Sequence, residues 1–418
     1  MSFQQGISGL SATSKHLDVI GNNVANSGTI GAKSSRIEFA DMYSTALGGG
    51  SSKQSGVGVA VAAVAQSFSQ GSITSTSNPL DLAISGNGFF QVKTNDGSVH
   101  YTRNGQFKLN RDGEIVNNQG NRLMGYAADS SGLVQSGQAQ PLQLKSTAIE
   151  PRATSGVTIV ANLDSRAIIK QPSTGPGIDF ADALTYNNAT SVNAVDANGK
   201  DVVVTSYFQK TAADTWDVYV TANGAPVGGI PAVAVTTVTF DPQGTAPTAP
   251  TTPITVDIPA GVVTNGVGTL PISGLLIDLT AFTQFAAPFG VTKLSQNGYT
   301  AGALSGVVVE STGLIRANYS NGRTKSIGQI EMSTFSNMNG LQPLGGNEWA
   351  ATIDSGDPVL GVPGSGNLGT LQTSALEESN VDLTGELVSM MIAQRNYQAN
   401  AQTIKTQDQV LQTLVNLR

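Results

Sequence analysis

The sequence contains no cysteine and only two histidines, His16 and His100. Disulfide frames, thiol nucleophiles and thiolate metal sites are thereby excluded, and two distant imidazoles do not make a His-rich zinc site. Charge is scarce as well. Asp, Glu, Lys and Arg make up 12% of the 418 residues, about half the usual share of roughly 25%. The balance is acidic, with 29 carboxylates against 22 basic side chains, which argues against a nucleic-acid partner. No apolar run approaches the ~18 residues of a membrane helix. Residues 1–10 lack the basic and apolar regions of a cleavable secretory signal.

What the chain has in excess is glycine, 48 residues. At about 150 residues per domain, its length predicts two to four domains. The two ends differ from the middle. Phe3, Ile7, Leu10, Leu17 and Val24 fall on a heptad stripe, with Ser14 and Gly21 filling the gaps. The C-terminal stripe is longer: Leu383, Leu387, Met390, Gln394, Tyr397, Ala401, Ile404, Asp408, Leu411 and Val415 keep strict 4-3 spacing. Such spacing predicts helices that pack along a seam. Leu376, Val381, Val388, Ile392 and Leu417 lie off that seam and call for a further partner. Because the stripes sit at opposite ends, a nested chain brings them together, either as a hairpin closing one domain or as a self-assembly surface.

The interior reads as β-structure. Asn87-Gly88, Asp96-Gly97, Asn104-Gly105 and Asp112-Gly113 suit the positive φ of tight hairpins between short strands such as 89–92. Residues 171–290 hold nine Asp against Lys200 and Lys210, so they carry the whole net charge of −7. Alternation in Trp216/Val218/Val220 and Ile254/Val256/Ile258 marks an inserted all-β domain with an acidic surface. The expected fold is mainly β with terminal α-helices. Residues 1–27 and 371–418 form the helical domain, and 28–79 with 366–370 an extended connector. A first β domain takes 80–146 and 288–365, and an inserted outer β domain takes 147–287.

Chemistry is hard to find. Gly364-Ser365-Gly366-Asn367-Leu368-Gly369 matches a dinucleotide fingerprint, but no amphipathic helix follows it. Glu377-Glu378 is best read as support for the start of the last helix, where carboxylates complement the dipole. His16 falls on the first helix, as a polar-face or interface residue. Asp214, Trp216 and Asp217 are the sole hint of a glycan site. Neither an enzyme nor a cofactor or metal site is expected.

Residues 20–33, Ile-Gly-Asn-Asn-Val-Ala-Asn-Ser-Gly-Thr-Ile-Gly-Ala-Lys, resemble the signature of the bacterial flagellar rod and hook family. So do Ser85 through Phe90, Tyr101 through Phe107, and Ala393-Gln394-Arg395-Asn396-Tyr397-Gln398-Ala399-Asn400. One departure is Ala32, where the family usually has an aromatic residue. The length and single insert fit a hook-type member, with a distal-rod or hook–filament junction role, or a non-flagellar coiled-coil adhesin, as alternatives. The resemblance implies a structural subunit that polymerises with itself into a curved tube and transmits torque as a universal joint. By the same resemblance its other partners are the distal rod, the hook cap, the junction protein and the flagellar type III export gate, and its location is extracellular. Phe3 and Ile7 then double as a possible export signal.

Overall fold

The structure is a computed structural model. It describes residues 2–42, 58–129, 131–135, 137–144, 148–170, 178–229, 231–261, 263–264 and 267–416. Two helices, α1 (Ser2–Ala25) and α2 (Leu383–Asn416), flank a chain of short strands. The chain divides into two compact units. Unit 1 takes residues 1–147, 305–318 and 324–418; unit 2 takes 148–304 and 319–323.

In unit 1, α1 and α2 lie side by side, and α1 is also covered by a hairpin of β1 (Ser35–Met42) and β2 (Gly58–Gln66). This hairpin is a correction to the extended connector expected over 28–79. Ile37 pairs with Val64 and Phe39 with Val61 across a bulge, an apolar alternation that the surrounding Gly, Ser and Ala conceal. The glycine run 48–50 lies outside the described residues. Past the hairpin the chain enters a β domain along its own exit path. Ile73–Ser75 pairs with Ala375–Glu377, and Leu82–Ser85 pairs with Thr370–Thr373. Residues 371–377, expected with the helices, are therefore strands of the β domain.

The β-domain core is aromatic. Successive residues of a strand face opposite sides, so Phe89 and Phe90 feed two clusters. Phe89 meets Phe68, Phe335 and Trp349 edge-on at 5.6–6.0 Å, and Phe90 meets Phe107 at 5.3 Å. Turns at 94–98, 110–114, 117–121 and 310–314 share one form. The first residue donates its N–H to the fifth carbonyl, and a positive-φ glycine in fourth place donates back to the first. This is the three-residue hairpin loop, in which glycine supplies the left-handed position. Asn104-Gly105 is no such turn. A Cβ on Gly105 would lie 1.6 Å from the Leu82 carbonyl oxygen, so glycine there permits close backbone approach.

Unit 2 packs two sheets around one continuous core. One sheet runs Ile254–Ile258, Ile272–Asp278, Gly156–Asn162, Gly290–Gln296; the other is built on Asn188–Val195, Asp201–Ala212, Thr215–Ala222 and Thr236–Phe240. Trp216, Val218 and Val220 are buried in this core with Val256 and Ile258, as their alternation predicts. Gly290–Gln296 pairs with Gly156–Asn162, so the insert extends past the expected boundary at 287. The composition shift at Pro288 precedes the structural one, because this edge strand is largely exposed and has no apolar face to reveal it. Trp216 donates to Gln284, whose amide donates to Asp214. The tryptophan is fully buried, so the glycan reading of Asp214, Trp216 and Asp217 falls.

Two expected outcomes follow from these cores. The bridge between Arg152 and Tyr299 closes unit 2, and its core lies inside those residues. A fragment 152–299 is expected to fold alone and melt cooperatively; non-cooperative melting would refute its independence. In unit 1, Glu331 is buried and takes one hydrogen bond from Tyr126 at 2.7 Å. Its Oε2, Gln91 Oε1 and Ser333 Oγ have no hydrogen-bond partner among the described residues. Burial raises the Glu331 pKa above the ordinary 4.5, so the native state holds its proton more tightly than the unfolded chain. Stability from this group is full below pH 4.5 and declines as pH rises through the native pKa. Relative to wild type, Glu331→Gln is expected to gain a few degrees in melting temperature as pH rises. Parallel melting curves across pH would contradict this.

Candidate assembly surface

The paired helices begin with local signals. Asp382 caps α2, its carboxylate accepting the Thr384 N–H at 3.0 Å and its carbonyl accepting that of Glu386, which satisfies donors at a helix start. From there α2 runs 34 residues without Pro, roughly 50 Å at 1.5 Å per residue. The two helices are antiparallel. Gly6 of α1 faces Ile404 and Asn400, Gly9 faces Asn400, and Asn23 donates to Glu386 at 2.9 Å.

The contact face is shifted from the predicted seam. On α1 the buried residues include Gly6, Ala12, Thr13, Ile20 and Asn23. On α2, Ala393 is buried, while Glu386, Met390, Asn400, Ala401 and Ile404 are half-buried. Met390, Ala401 and Ile404 thus serve both the expected seam and the observed contact. Leu10, Leu17 and Val24 are half-buried on the margin of α1. Phe3, Ile7, Leu383, Leu387, Tyr397 and Leu411 are exposed, Leu411 at 52%, and the side chain of Val415 lies outside the described residues. The off-seam Val388 and Ile392 are exposed too, and Leu376 is buried in its strand; Leu417 lies outside the described residues.

The physical reason is helix separation. Cβ atoms built on Gly6 and Gly9 would come within 3.0 Å of Ile404 Cγ1 and 2.9 Å of Asn400 Nδ2. Small residues at Gly6 and Gly9 let the helices approach closely, with Ile404 and Asn400 filling the space against them. Apolar spacing could not disclose this face, since its members Gly6, Gly9, Thr13, Asn23, Glu386 and Asn400 are not apolar; the small-residue spacing Gly6/Gly9/Thr13 was the available signal. The outcome is a helix pair that leaves Phe3, Ile7, Leu383, Leu387 and Leu411 exposed.

Other candidate sites resolve into structure. The His16 ring packs edge-on against Phe39 at 5.8 Å. The Gly364–Gly369 stretch is a loop closed by a hydrogen bond from Gly364 N–H to the Gly369 carbonyl, between strands Val359–Gly361 and Thr370–Thr373. Among the described residues, no cluster of three or more His, Cys, Asp or Glu could hold a metal ion, and no helix is long and apolar enough to cross a membrane.

Terminal helices around nested β-structure define a class, and family comparisons agree with it. Residues 3–33 match the flagella basal body rod protein family, and 83–168 the D1 domain of flagellar hook protein FlgE/F/G. Residues 162–299 match the flagellar basal body protein FlaE D2 domain, and 372–417 the C-terminal region of the basal body rod FlgEFG proteins. Flagellar hook protein FlgE of Salmonella typhimurium is 41% identical, with both chains fully covered. That of Escherichia coli K12 is also 41% identical over both full chains. That of Borreliella burgdorferi is 31% identical, covering 100% of this chain and 99% of its own. A crystal structure of Helicobacter pylori flagellar hook protein FlgE2 shares the fold at TM-score 0.53 and 15% identity, covering 73% of this chain and all of that one. The chain belongs to the flagellar hook protein FlgE family.

A bulky residue in the close contact should separate the helices. Gly6→Leu is expected to cost about 1–3 kcal/mol of pairing, as overpacking does. Amide exchange across α2 should accelerate while the β-domain melt is unchanged. Unaltered α2 exchange would show that the glycine contact does not hold the pair.

Proposed function

We propose that this chain is the repeating subunit of a hook: a non-enzymatic building block that polymerises with itself into a curved tube and transmits torque while bending. The observation that carries this reading is the apolar surface left on the paired helices by Phe3, Ile7, Leu383, Leu387, Val388, Met391, Ile392 and Leu411. Contiguous exposed apolar side chains along an element mark an interaction surface. Here the occupant is the corresponding helix pair of neighbouring copies, which buries the stripes from Phe3 to Val24 and from Leu383 to Val415.

Within this reading the tube is extracellular, its ends meet the distal rod and the junction protein, and a cap covers it during growth. The subunit leaves through the flagellar type III export gate, with Phe3 and Ile7 as the candidate export signal. Both are exposed and so available to a receptor as well as to a neighbour. The inner contacts are apolar and hold. The sparsely charged β surfaces form no deep apolar lock and can slide.

Leu411 supplies the test. Burying a leucine contributes roughly 1.5–3 kcal/mol, and a carboxylate in its place adds a desolvation penalty of about several more. The change recurs in every subunit, so Leu411→Asp is expected to abolish polymerisation while the melting temperature of the monomer's β domains stays unchanged. Gln412→Asp, one position along, should be milder. Tubes of normal appearance from Leu411→Asp in electron micrographs would overturn the role of this helix in assembly.

A further inference from the structure

Glu377 lies outside α2, which the sequence had suggested it supports. Its side chain is wholly buried, and its two carboxylate oxygens are divided between cations from distant parts of the chain. Lys33 Nζ reaches Oε1 at 2.6 Å, and Arg103 Nη1 reaches Oε2 at 3.1 Å; both cationic side chains are buried as well. Oε1 also accepts the Gly71 N–H at 2.9 Å, and Lys33 donates a second bond to the Ser69 carbonyl at 2.8 Å. The main chain joins in: Gly31 N–H donates to the Glu377 carbonyl, and Glu378 N–H to that of Ser72. The Arg103 guanidinium lies over the Phe89 ring at 5.3 Å, which fastens the cluster to the aromatic core.

Two asparagines extend the cluster toward the helices. Asn380 accepts the Ser34 N–H at 2.7 Å and donates to the Ser67 and Ser69 carbonyls. Asn23, near the end of α1, accepts the Ser35 N–H and donates to the Ser35 carbonyl and to Glu386 of α2. Backbone approach is equally close. Gly31, at φ +71°, has Asn104 N within 2.7 Å of where a Cβ would stand. The segments 23–35, 67–72, 103–104 and 377–386 are thus tied by polar bonds, buried at Lys33–Glu377–Arg103 and part-buried at most of the others. Loss of the buried ones would leave charges unsatisfied.

We infer that the Lys33–Glu377–Arg103 cluster is a weld that joins the terminal helix pair to the β domain of unit 1 as one rigid lever. The mechanical part rests on the proposed hook role. The connector region is then not the compliant element of the subunit, and bending draws on contacts between subunits. Lys33 and Arg103 are positioning residues for force transmission: their role is to fix the helix ends against the β domain.

Lys33→Met is the informative change, because it leaves a neutral Arg103–Glu377 pair and an apolar stem in the buried slot. Glu377→Gln, which strands two buried cations, is the harsher companion. In full-length wild-type monomer, the amides of Gly31, Ser34, Ser35, Gly71 and Glu378 are expected to exchange as slowly as those of Phe89 and Val92. In Lys33→Met the joint amides should speed up on the order of tenfold or more, with Phe89 and Val92 unchanged. Joint amides that exchange freely in wild type, or that ignore Lys33→Met, would overturn the weld. In assembled tubes, Lys33→Met should shorten the bending persistence length seen in micrographs at an unchanged subunit repeat. Equal stiffness would overturn the lever. Failure of wild-type chain to form any tube would instead count against the hook role, and monomer exchange would still decide whether the weld exists.

Discussion

One carboxylate joins distant segments of unit 1. Glu377 is fully buried with Lys33 and Arg103 around it, so the site carries one more positive charge than negative. Burial outweighs the attraction of Glu377 and lowers the pKa of both Lys33 and Arg103. Such a cluster is a poor way to gain stability, since apolar residues of similar volume often do as well or better. Its value is geometric. A carboxylate with two cations and a backbone N–H at fixed positions admits one arrangement of the segments that carry them, whereas apolar contacts tolerate sliding. The chain thus places directional bonds where strands and helices meet and apolar contacts along the helices.

The helix pair follows a second logic. Association within the chain brings the backbones close at Gly6 and Gly9, against Ile404 and Asn400, and leaves Phe3, Leu383, Leu387, Met391 and Leu411 exposed. A pair built the other way, with large apolar residues inside, would be satisfied alone and have little left to offer a neighbour. α2 packs on α1 along one face only, whereas α1 is also covered by β1 and β2. In the proposed hook role, the exposed apolar residues of α2 gain burial only when other copies cover them. Unit 2 is the opposite case: its core from Val157 to Phe282 is closed within itself, so it is expected to fold without a neighbour.

Much of this was legible in the sequence, and what was not has identifiable causes. The helices at both ends, the hairpin glycines Gly97 and Gly113, and the insert's alternation at Trp216 and Ile254 were visible because period and turn chemistry are local. The hairpin over 35–66 was hidden by small residues, and the limit of the insert by an exposed strand with no apolar face. Glu377 was misread because its partners, Lys33 and Arg103, lie 344 and 274 residues away along the chain, and no local pattern encodes such a meeting. The helix contact face was missed for a related reason. Heptad reading weights apolar residues, while much of the face within the chain is glycine, threonine and asparagine.

The charge distribution completes the division of labour. Residues 171–290 carry the entire net charge of −7, and the helix-bearing remainder is neutral. Like-charged surfaces repel within a Debye length of about 8 Å at physiological salt and are screened beyond it, so close contacts between inserts are disfavoured. Neutral helices pay no such repulsion when they crowd together, so apolar burial decides their association. In the proposed hook role, adhesion is concentrated in the terminal helices, rigidity in the buried ion cluster beside them, and independence in the acidic insert. A polymer that must hold its lattice while its outer contacts shift requires these three properties in separate places, because a single surface that was both adhesive and mobile would stick in whichever register it first met.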